Sequence, residues 1–342
     1  MSRGPELRFA AIGLDHRHIY HQVGRLLEAG ATCVGWWTGD TGAPPVAGFV
    51  ERFPDLPRVD DRRRLLDDPS IRLVVTAAIP VERAGIAVAA MRRGKDVMTD
   101  KPGVITLEQF EEVRRVQAET GRIWSVNFSE RYEVRAVTRA AELIAAGAIG
   151  RVVQTVGLGP HRLNAHLRPD WFWDPARNGG ILADIATHQI DQFLYLTGST
   201  DAEIVASAVA NYANPEHPGF QDFGELLLRS DRANGYARLD WYTPDGLPTW
   251  GDGRLTVLGT EGYIELRKYV DVAGRPGGDH LFLVTNEATR HIECAGAPLP
   301  YYERLRDDVL NRTETATPQA HCLKVCELAL EAQARAEAKR LA

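Results

Sequence analysis

Two hydrophobic periods alternate over roughly the first 125 residues, and this alternation constrains the fold more than any other feature of the chain. Short apolar runs read as buried strands: LRFAAIG at 7–13, ATCVGWW at 31–37, IRLVVTAA at 71–78, DVMT at 96–99 and RIWSVN at 122–127. Helical segments fall between them. Residues 17–29 put Ile19, Val23, Leu26 and Leu27 on one face and stop at Gly30, and residues 83–94 also end on glycine. Thr106 and Gln109 form a capping box that opens a helix running to Gly121. The segment between the second and third strands reads as a Pro/Gly-rich loop. Helices alternating with strands predict right-handed crossovers and a doubly wound parallel sheet, an α/β domain over residues 1–127.

The rhythm changes after about residue 150. RVVQTVGLG, EIVASAVANY, FGELLLRS, GYARLDWYT, RLTVLGT, GYIELRK and HLFLVT are strand-like and mostly lack helices between them. They predict a mostly antiparallel sheet in an α+β domain over residues 128–342, with the C-terminal helix free to pack back on the first domain. One strong helix, 181–198, interrupts this region, and a last helix spans about 318–340. The 342 residues leave room for two such domains, and 44% apolar content is enough for two cores. A net charge of −6 argues against nucleic acid as a partner. No apolar run approaches the ~20 residues of a membrane span. The first residues, MSRGPELR, carry no apolar signal segment, and four cysteines make no disulfide framework, so a cytoplasmic, reduced protein is expected. Cys322 and Cys326, beside His321, read as packing residues on a helix.

Ligands of doubly wound sheets bind beyond the carboxyl ends of the strands, where strand order reverses. Those ends here are residues 13–18, 38–40, 77–80, 99–102 and 127–131. The stretch GLDHRHIYHQ at 13–22 stands where a phosphate-binding loop belongs, but it keeps only the first glycine. Gly13 supplies the tight turn. Asp15 places a carboxylate near a diphosphate, which is repulsive unless Asp15 caps the helix through the N–H of Arg17 or His18 and Arg17 compensates the charge. Nucleotide binding and a plain structural turn both stand as readings. A metal site from His16, His18 and His21 fits less well, because those spacings do not share a helix face. Thr38 takes the place of the acidic residue that grips ribose hydroxyls and Asp40 follows it, favouring NAD over NADP; TGDTG is also an ordinary turn composition.

Lys101, in TDKPG at 99–103, lies just past the fourth strand. It is either a solvated surface charge or a group held at the crevice. In the helix at 181–198, Asp184, His188 and Asp191 stand at i, i+4 and i+7 on an otherwise apolar helix. A buried helix carries such a stripe only if something satisfies it. Asp184 can orient His188 and favour its protonated form, as general acid–base chemistry requires; a structural hydrogen-bond cluster and a one-His, two-Asp metal site are the other readings. Asp191 reads as a structural partner.

Taken together, these motifs resemble those of the glucose-fructose oxidoreductase / inositol dehydrogenase / rhizopine-catabolism (Gfo/Idh/MocA) family over nearly the whole chain. TDKPG resembles the family's Glu-Lys-Pro motif, with Asp100 in place of Glu. GGILADIATHQID resembles its Gly-Gly…Asp-x-x-x-His-x-x-Asp helix, VNFSERY the segment after the fifth strand with Arg131 at the usual arginine, and GAIGRVVQTV its domain junction. The resemblance implies a Rossmann domain followed by a domain with a large open sheet, through which homodimers or homotetramers form. It implies NAD, with NADP also admissible, and a polyol or sugar as substrate. Lys101, Asp184 and His188 would be catalytic, His188 exchanging the hydroxyl proton and Lys101 polarising the oxygen. Gly13, Asp15, Arg17, His18, Thr38, Asp40, Ala78, Ile79, Asp100, Lys101 and Asn127 would hold the cofactor, with no metal. Lys101, Arg131, Asp184 and His188 would meet substrate, and His161, Trp171 and Trp173, in the segment 160–180, offer walls for a sugar pocket. Three departures stand out: the loop at 13–18, Thr38, and AAIPVER, where many members read Thr-Pro-Asn-x-x-His. A nucleotide-sensing regulator and a hydrolase or lyase that retains its NAD are the rival readings.

Overall fold

A computed structural model describes residues 6–340, so part of the N-terminal segment MSRGPELR lies outside the described residues. The chain divides into two compact units: Met1–Asn127 with Pro300–Leu323, and Phe128–Leu299 with Lys324–Ala342.

The first unit is built on a parallel sheet of β1 (Arg8–Ile12), β2 (Thr32–Trp37), β3 (Leu73–Thr76), β4 (Asp96–Asp100) and β5 (Trp124–Asn127), in the order β2-β1-β3-β4-β5. Every residue of β3, β4 and β5 is buried, as a strand covered on both faces requires. The connections carry α1 (His18–Glu28), α2 (Pro44–Arg52), α3 (Arg63–Leu66), α4 (Pro80–Met91) and α5 (Leu107–Thr120). Thr106 Oγ1 accepts the Gln109 N–H at 3.2 Å, and Gly121 ends α5 in the left-handed region, as the capping box predicts. The segment read as a Pro/Gly-rich loop holds α2: Pro44 sits at its first turn, where a missing N–H costs nothing, and Val46 and Phe49 are buried.

Residues 300–323 complete this unit. Helix α11 (Tyr301–Asn311) bonds Tyr301 Oη to Ser125 Oγ at 2.7 Å. Arg312, which follows it, reaches Asp96 at 2.6 Å. β5 is an edge strand, and its outward N–H groups are taken by the following segment: Trp124 donates to Gln319 Oε1 at 2.8 Å and Val126 to Cys322 Sγ at 3.3 Å. Cys322 thus covers a sheet edge.

The second unit opens with α6 (Ser129–Tyr132) and α7 (Arg135–Ala145) and is dominated by an eight-stranded sheet. Its strands are β6 (Val152–Pro160), β7 (Glu203–Ala210), β8 (Phe223–Arg229), β9 (Asn234–Asp240), β10 (Arg254–Gly259), β11 (Gly262–Arg267), β12 (His280–Thr285) and β13 (Thr289–Ile292). The order is β13-β12-β11-β10-β6-β9-β8-β7, antiparallel except where β6 runs parallel to β9. One face is core: Leu226, Leu228, Leu239, Leu255, Val257, Ile264, Leu266 and Leu281 are buried. The opposite face carries Glu225, Leu227, Arg229, Leu258 and Tyr263, by the period of two along each strand.

Between β6 and β7 the chain forms 3₁₀ turns at Ala165–Leu167 and Asp170–Trp173, then α8 (Pro175–Asn178), α9 (Ile181–Asp184) and α10 (Ala186–Thr197). The helix expected over 181–198 is therefore two helices broken at Ile185. The Thr187 hydroxyl takes the Asp184 carbonyl at 3.2 Å, and the His188 N–H turns to Ile185 O at 3.1 Å, so the ladder tightens to i→i−3 at the junction. Helix α12 (Gln319–Arg340) ends the described chain, and no helix among the described residues is long and apolar enough to cross a membrane.

Candidate functional site

The strand order β2-β1-β3 puts the switch point of the parallel sheet between β1 and β3. Gly13 leaves β1 there with φ +82°, and a Cβ on it would lie 2.4 Å from that of Ala78. Only glycine lets the two strand ends approach this closely. The Gly13 N–H donates to Trp37 O at 2.8 Å and the Leu14 N–H to Thr38 Oγ1 at 3.3 Å, so Thr38 ties the loop to the end of β2. Asp40 accepts the Gly42 N–H at 2.8 Å and closes an exposed turn.

The helix start differs from expectation. Arg17 is the N-cap residue of α1 and receives no side-chain cap. The His18 N–H instead donates to His16 Nδ1 at 3.3 Å, while Asp15 accepts the N–H of Ile79. Asp15 is thus directed to the β3–α4 turn. Burial, then the nearby Glu82, push its carboxyl up to about 6, against the partial relief from Arg83 and the Ile79 N–H. Among the described residues, the N–H groups of Asp15 and Arg17 have no hydrogen-bond acceptor and are open to an anion at the start of α1.

The departures at His18, Arg83 and Asp100 form one network. His18 Nδ1 lies 2.9 Å from Asp100 Oδ1 and His16 Nδ1 3.5 Å from Oδ2, while Arg83 Nη2 donates to Asp100 Oδ2 at 3.2 Å. Burial alone would raise the Asp100 pKa, but His18 and Arg83 hold it well below the usual carboxylate range. Burial and the adjacent His18 drive the His16 pKa well below its ordinary value, consistent with a neutral ring accepting the His18 N–H. Arg83, 1% exposed, also donates to Ala78 O at 2.7 Å, Lys101 O at 2.6 Å and Pro102 O at 3.0 Å. It staples the end of β3 to the end of β4. The ligand atoms of His16, His18 and Asp100 lie within 4.8 Å of one another, close enough for an ion. The Arg83 guanidinium already neutralises Asp100 and the His16 Nδ1 lone pair already holds the His18 N–H, so the three groups act as a charge network.

Lys101 follows on a cis peptide to Pro102 and is 7% exposed, not a solvated surface charge. Asn127, at the end of β5, donates to Tyr302 Oη at 3.2 Å; its Oδ1 is buried with no partner among the described residues. An unmet buried acceptor, a glycine turn without space for a Cβ and two open amides at a helix start fit a dinucleotide at these strand ends.

The second unit holds the other predicted residues. His188 is 2% exposed in the first turns of α10, and Asp184 is half-buried at the end of α9. Asp191 is fully buried and gripped by Arg131 through Nε and Nη2, both at 2.7 Å. The Arg131 guanidinium stacks between the rings of Tyr132 and Tyr195, each 4.5 Å away, and so acts as a brace between α6 and α10. His161 hydrogen-bonds Gly159 O through Nδ1 at 3.0 Å and packs on Trp250 and Trp241. Trp173 stacks on His217 at 4.0 Å, and Trp171 edges onto Phe172. Sequence reasoning missed Glu130. It is 2% exposed on α6 and bonded to Lys268 at 2.5 Å. Its one signal was an acidic residue immediately before the matched arginine.

A doubly wound sheet with an amide-lined turn at its switch point and a buried lysine at a strand end defines a Rossmann-type oxidoreductase. Comparison with known proteins gives the family. Residues 31–128 match the oxidoreductase family with an NAD-binding Rossmann fold, and residues 137–265 match the GFO/IDH/MocA C-terminal domain. The chain belongs to the Gfo/Idh/MocA family. It is 46% identical to a crystal structure from Erwinia carotovora atroseptica described as an oxidoreductase, with TM-score 0.94 and coverage of 97% of this chain and 99% of that one. It is 25% identical to scyllo-inositol 2-dehydrogenase (NAD(+)) of Bacillus subtilis over 76% of this chain and 73% of that protein. It is 32% identical to levoglucosan dehydrogenase of Pseudarthrobacter phenanthrenivorans over 50% of this chain and 44% of that protein. Like this last match, several others span less than half of the curated relative's length.

Proposed function

We propose that this protein transfers a hydride between a nicotinamide and a secondary alcohol or ketone of a sugar or cyclitol, in the cytoplasm and as a homo-oligomer built through the open face of its eight-stranded sheet. The observation that carries the reading is Lys101, a cation kept 7% exposed at the carboxyl end of a parallel strand. A buried ammonium at that place can hydrogen-bond an oxygen that gains negative charge in the transition state. Named relatives that act on scyllo-inositol and levoglucosan support the substrate class.

Bound NAD or NADP supplies the hydride acceptor or donor. The turn at Gly13, Arg17 and His18 would hold the pyrophosphate, Thr38 and Asp40 would bind the ribose hydroxyls, and Ala78, Ile79, Asp100, Lys101 and Asn127 would bind the nicotinamide end. Asp15 is the discordant member, a carboxyl beside the phosphate loop. His188 exchanges the hydroxyl proton, Lys101 polarises the substrate oxygen, and Asp184 orients the substrate and the imidazole. His161, Trp171 and Trp173 offer ring faces to the C–H surface of the sugar. Arg131 supports α10 through Asp191.

The test is turnover of inositols and aldoses with both cofactors, followed at the nicotinamide absorbance band. Lys101→Ala and His188→Ala should each abolish turnover, while His188→Ala keeps its affinity for the nucleotide. Full activity in either variant rejects these roles. Release of a leaving group with no net change in nicotinamide absorbance would favour an NAD-retaining hydrolase or lyase, and nucleotide binding without turnover of any substrate would favour a sensor.

A further inference from the structure

The short helix α9 cannot hold itself. It has four residues, far below the ~12–15 at which a helix becomes self-sustaining. Its first N–H groups have no carbonyl a turn earlier, and its N-cap residue, Gly180, brings no side-chain cap. The acceptors are imported. The Ile181 N–H donates to Gln221 Oε1 at 3.0 Å, and the N–H groups of Leu182 and Ala183 donate to Gln333 Oε1 at 2.9 and 3.4 Å. Gln333 lies on α12, buried, 151 residues from Leu182 in sequence. Its Nε2 donates to Gln221 Oε1 at 3.0 Å and to Glu337 Oε1 at 2.7 Å, so a carboxylate one turn further along α12 orients the amide that accepts from α9. The Gln221 Nε2 donates to the same carboxylate oxygen at 3.2 Å. The backbone beside Gln333 is fixed as well, since Ser207 Oγ of β7 donates to Ala332 O at 2.8 Å. Gly180, with φ +84°, makes the close approach possible: a Cβ there would come 2.3 Å from Gln333 Nε2. From β8, Gly224 lets Ile181 and Leu182 settle, since a Cβ on it would lie 2.7 and 2.9 Å from their side chains.

We propose that Gln333 is a positioning residue for Asp184: by holding the first turn of α9 it fixes where that carboxylate stands. This inference rests on the reading of Asp184 as the group that orients the substrate and the imidazole. Asp184 is the last residue of α9, and only Ile185 separates it from α10. Its N–H closes on Gly180 O at 3.0 Å, so it belongs to the same turn whose amides Gln333 holds, and a slip or rotation of that turn carries Asp184 with it. Stability of the turn alone does not call for so distant a partner. A Ser, Thr, Asp or Asn at position 180 would cap one of these N–H groups locally, but such a cap moves with the turn. Gln333 ties the turn to a separate helix that β7 anchors. Catalysis needs that kind of fixity, because a misplacement of about 1 Å at a reacting group can cost about a hundredfold in rate.

The test compares the full-length parent with two variants. Gln333→Leu nearly keeps the side-chain volume and removes its acceptor and donor. Gln333→Glu/Glu337→Gln exchanges amide and carboxylate along α12 and keeps an acceptor for α9. Hydrogen exchange without ligand should show protection lost over residues 181–185 in Gln333→Leu and regained in the double variant. In turnover of a polyol, kcat should fall between about tenfold and a hundredfold in Gln333→Leu, with NADH affinity unchanged, and recover in the double variant. Parental kcat with those amides deprotected overturns the proposal. So does protection regained in the double variant without recovery of kcat, or a fall in kcat matched by an equal fall in NADH affinity. Where Gln333→Leu does not fold, Glu337→Leu, which removes only the group that orients the Gln333 amide, takes its place under the same criteria. No turnover of any polyol by the parent counts against the dehydrogenase reading. The exchange then decides alone, and protection over residues 181–185 that survives in Gln333→Leu overturns the placement of Asp184 by Gln333.

Discussion

At the scale of single residues, Asp15 contributes a pH response of its own. Its carboxyl sits at about 6 in the fold because burial, then Glu82, oppose ionisation. The unfolded value is about 4, so the folded chain binds this proton more tightly. The stability it contributes is complete below pH 4 and is lost as pH rises towards and through 6. Above that window the ionised carboxyl also repels a diphosphate at the neighbouring amides. Asp15→Asn should therefore raise Tm by a few degrees at pH 8 and leave it unchanged at pH 4. It should also remove the weakening of nucleotide affinity between pH 5.5 and 8. Calorimetry and a fluorescence titration of NADH at each pH check this, and equal behaviour of variant and parent at both pH values refutes it. The motifs made Asp15 legible as an anomaly but misassigned its partner. Its carboxylate accepts from Ile79, 64 residues away in sequence, and no local pattern encodes so distant a donor. The same holds for Arg83, Asp100 and His18. Each looked like a separate departure, and the fold shows that they compensate one another.

At the scale of elements, the parallel strands, the capped α5 and the strand-rich second half were all readable, because each is written in a local period. What escaped was set by neighbours. The α2 helix begins on prolines that read as a loop until Val46 and Phe49 find a core. The break at Ile185 is made by a hydroxyl and a displaced amide that the apolar pattern of the helix conceals. The turn from β1 into α1 gives the sharpest elemental prediction. Gly13→Ala must hold φ near +82° and place a methyl 2.4 Å from Ala78 Cβ. The strain should cost about 1–3 kcal/mol and displace the open amides, so that nucleotide affinity falls at least tenfold. Urea unfolding and a nucleotide titration measure the two losses, and an unaltered affinity would mean that this turn does not hold the cofactor.

At the scale of the whole molecule, the outward face of the eight-stranded sheet is mixed rather than polar. Leu227, Leu258 and Tyr263 are 44%, 42% and 38% exposed, among Glu225, Arg229 and Glu265. Leu258 and Tyr263 are directly paired across β10 and β11. A second copy meeting this face would bury those side chains and pair the charges. Leu258→Glu with Tyr263→Glu should convert the proposed homo-oligomer to monomer in sedimentation equilibrium while far-UV circular dichroism stays constant. An unchanged mass would reject this face as an interface between copies.

The edge of β5 has a consequence during synthesis. Its outward amides, at Trp124 and Val126, are capped by Gln319 and Cys322. A nascent chain emerging from the ribosome therefore exposes a bare strand margin for as long as it takes to translate everything in between, including all eight strands of the other sheet. During that interval the margin is a template for any extended segment, and early folding of the first half leaves it unguarded. Truncation before Gln319 should make that exposure permanent.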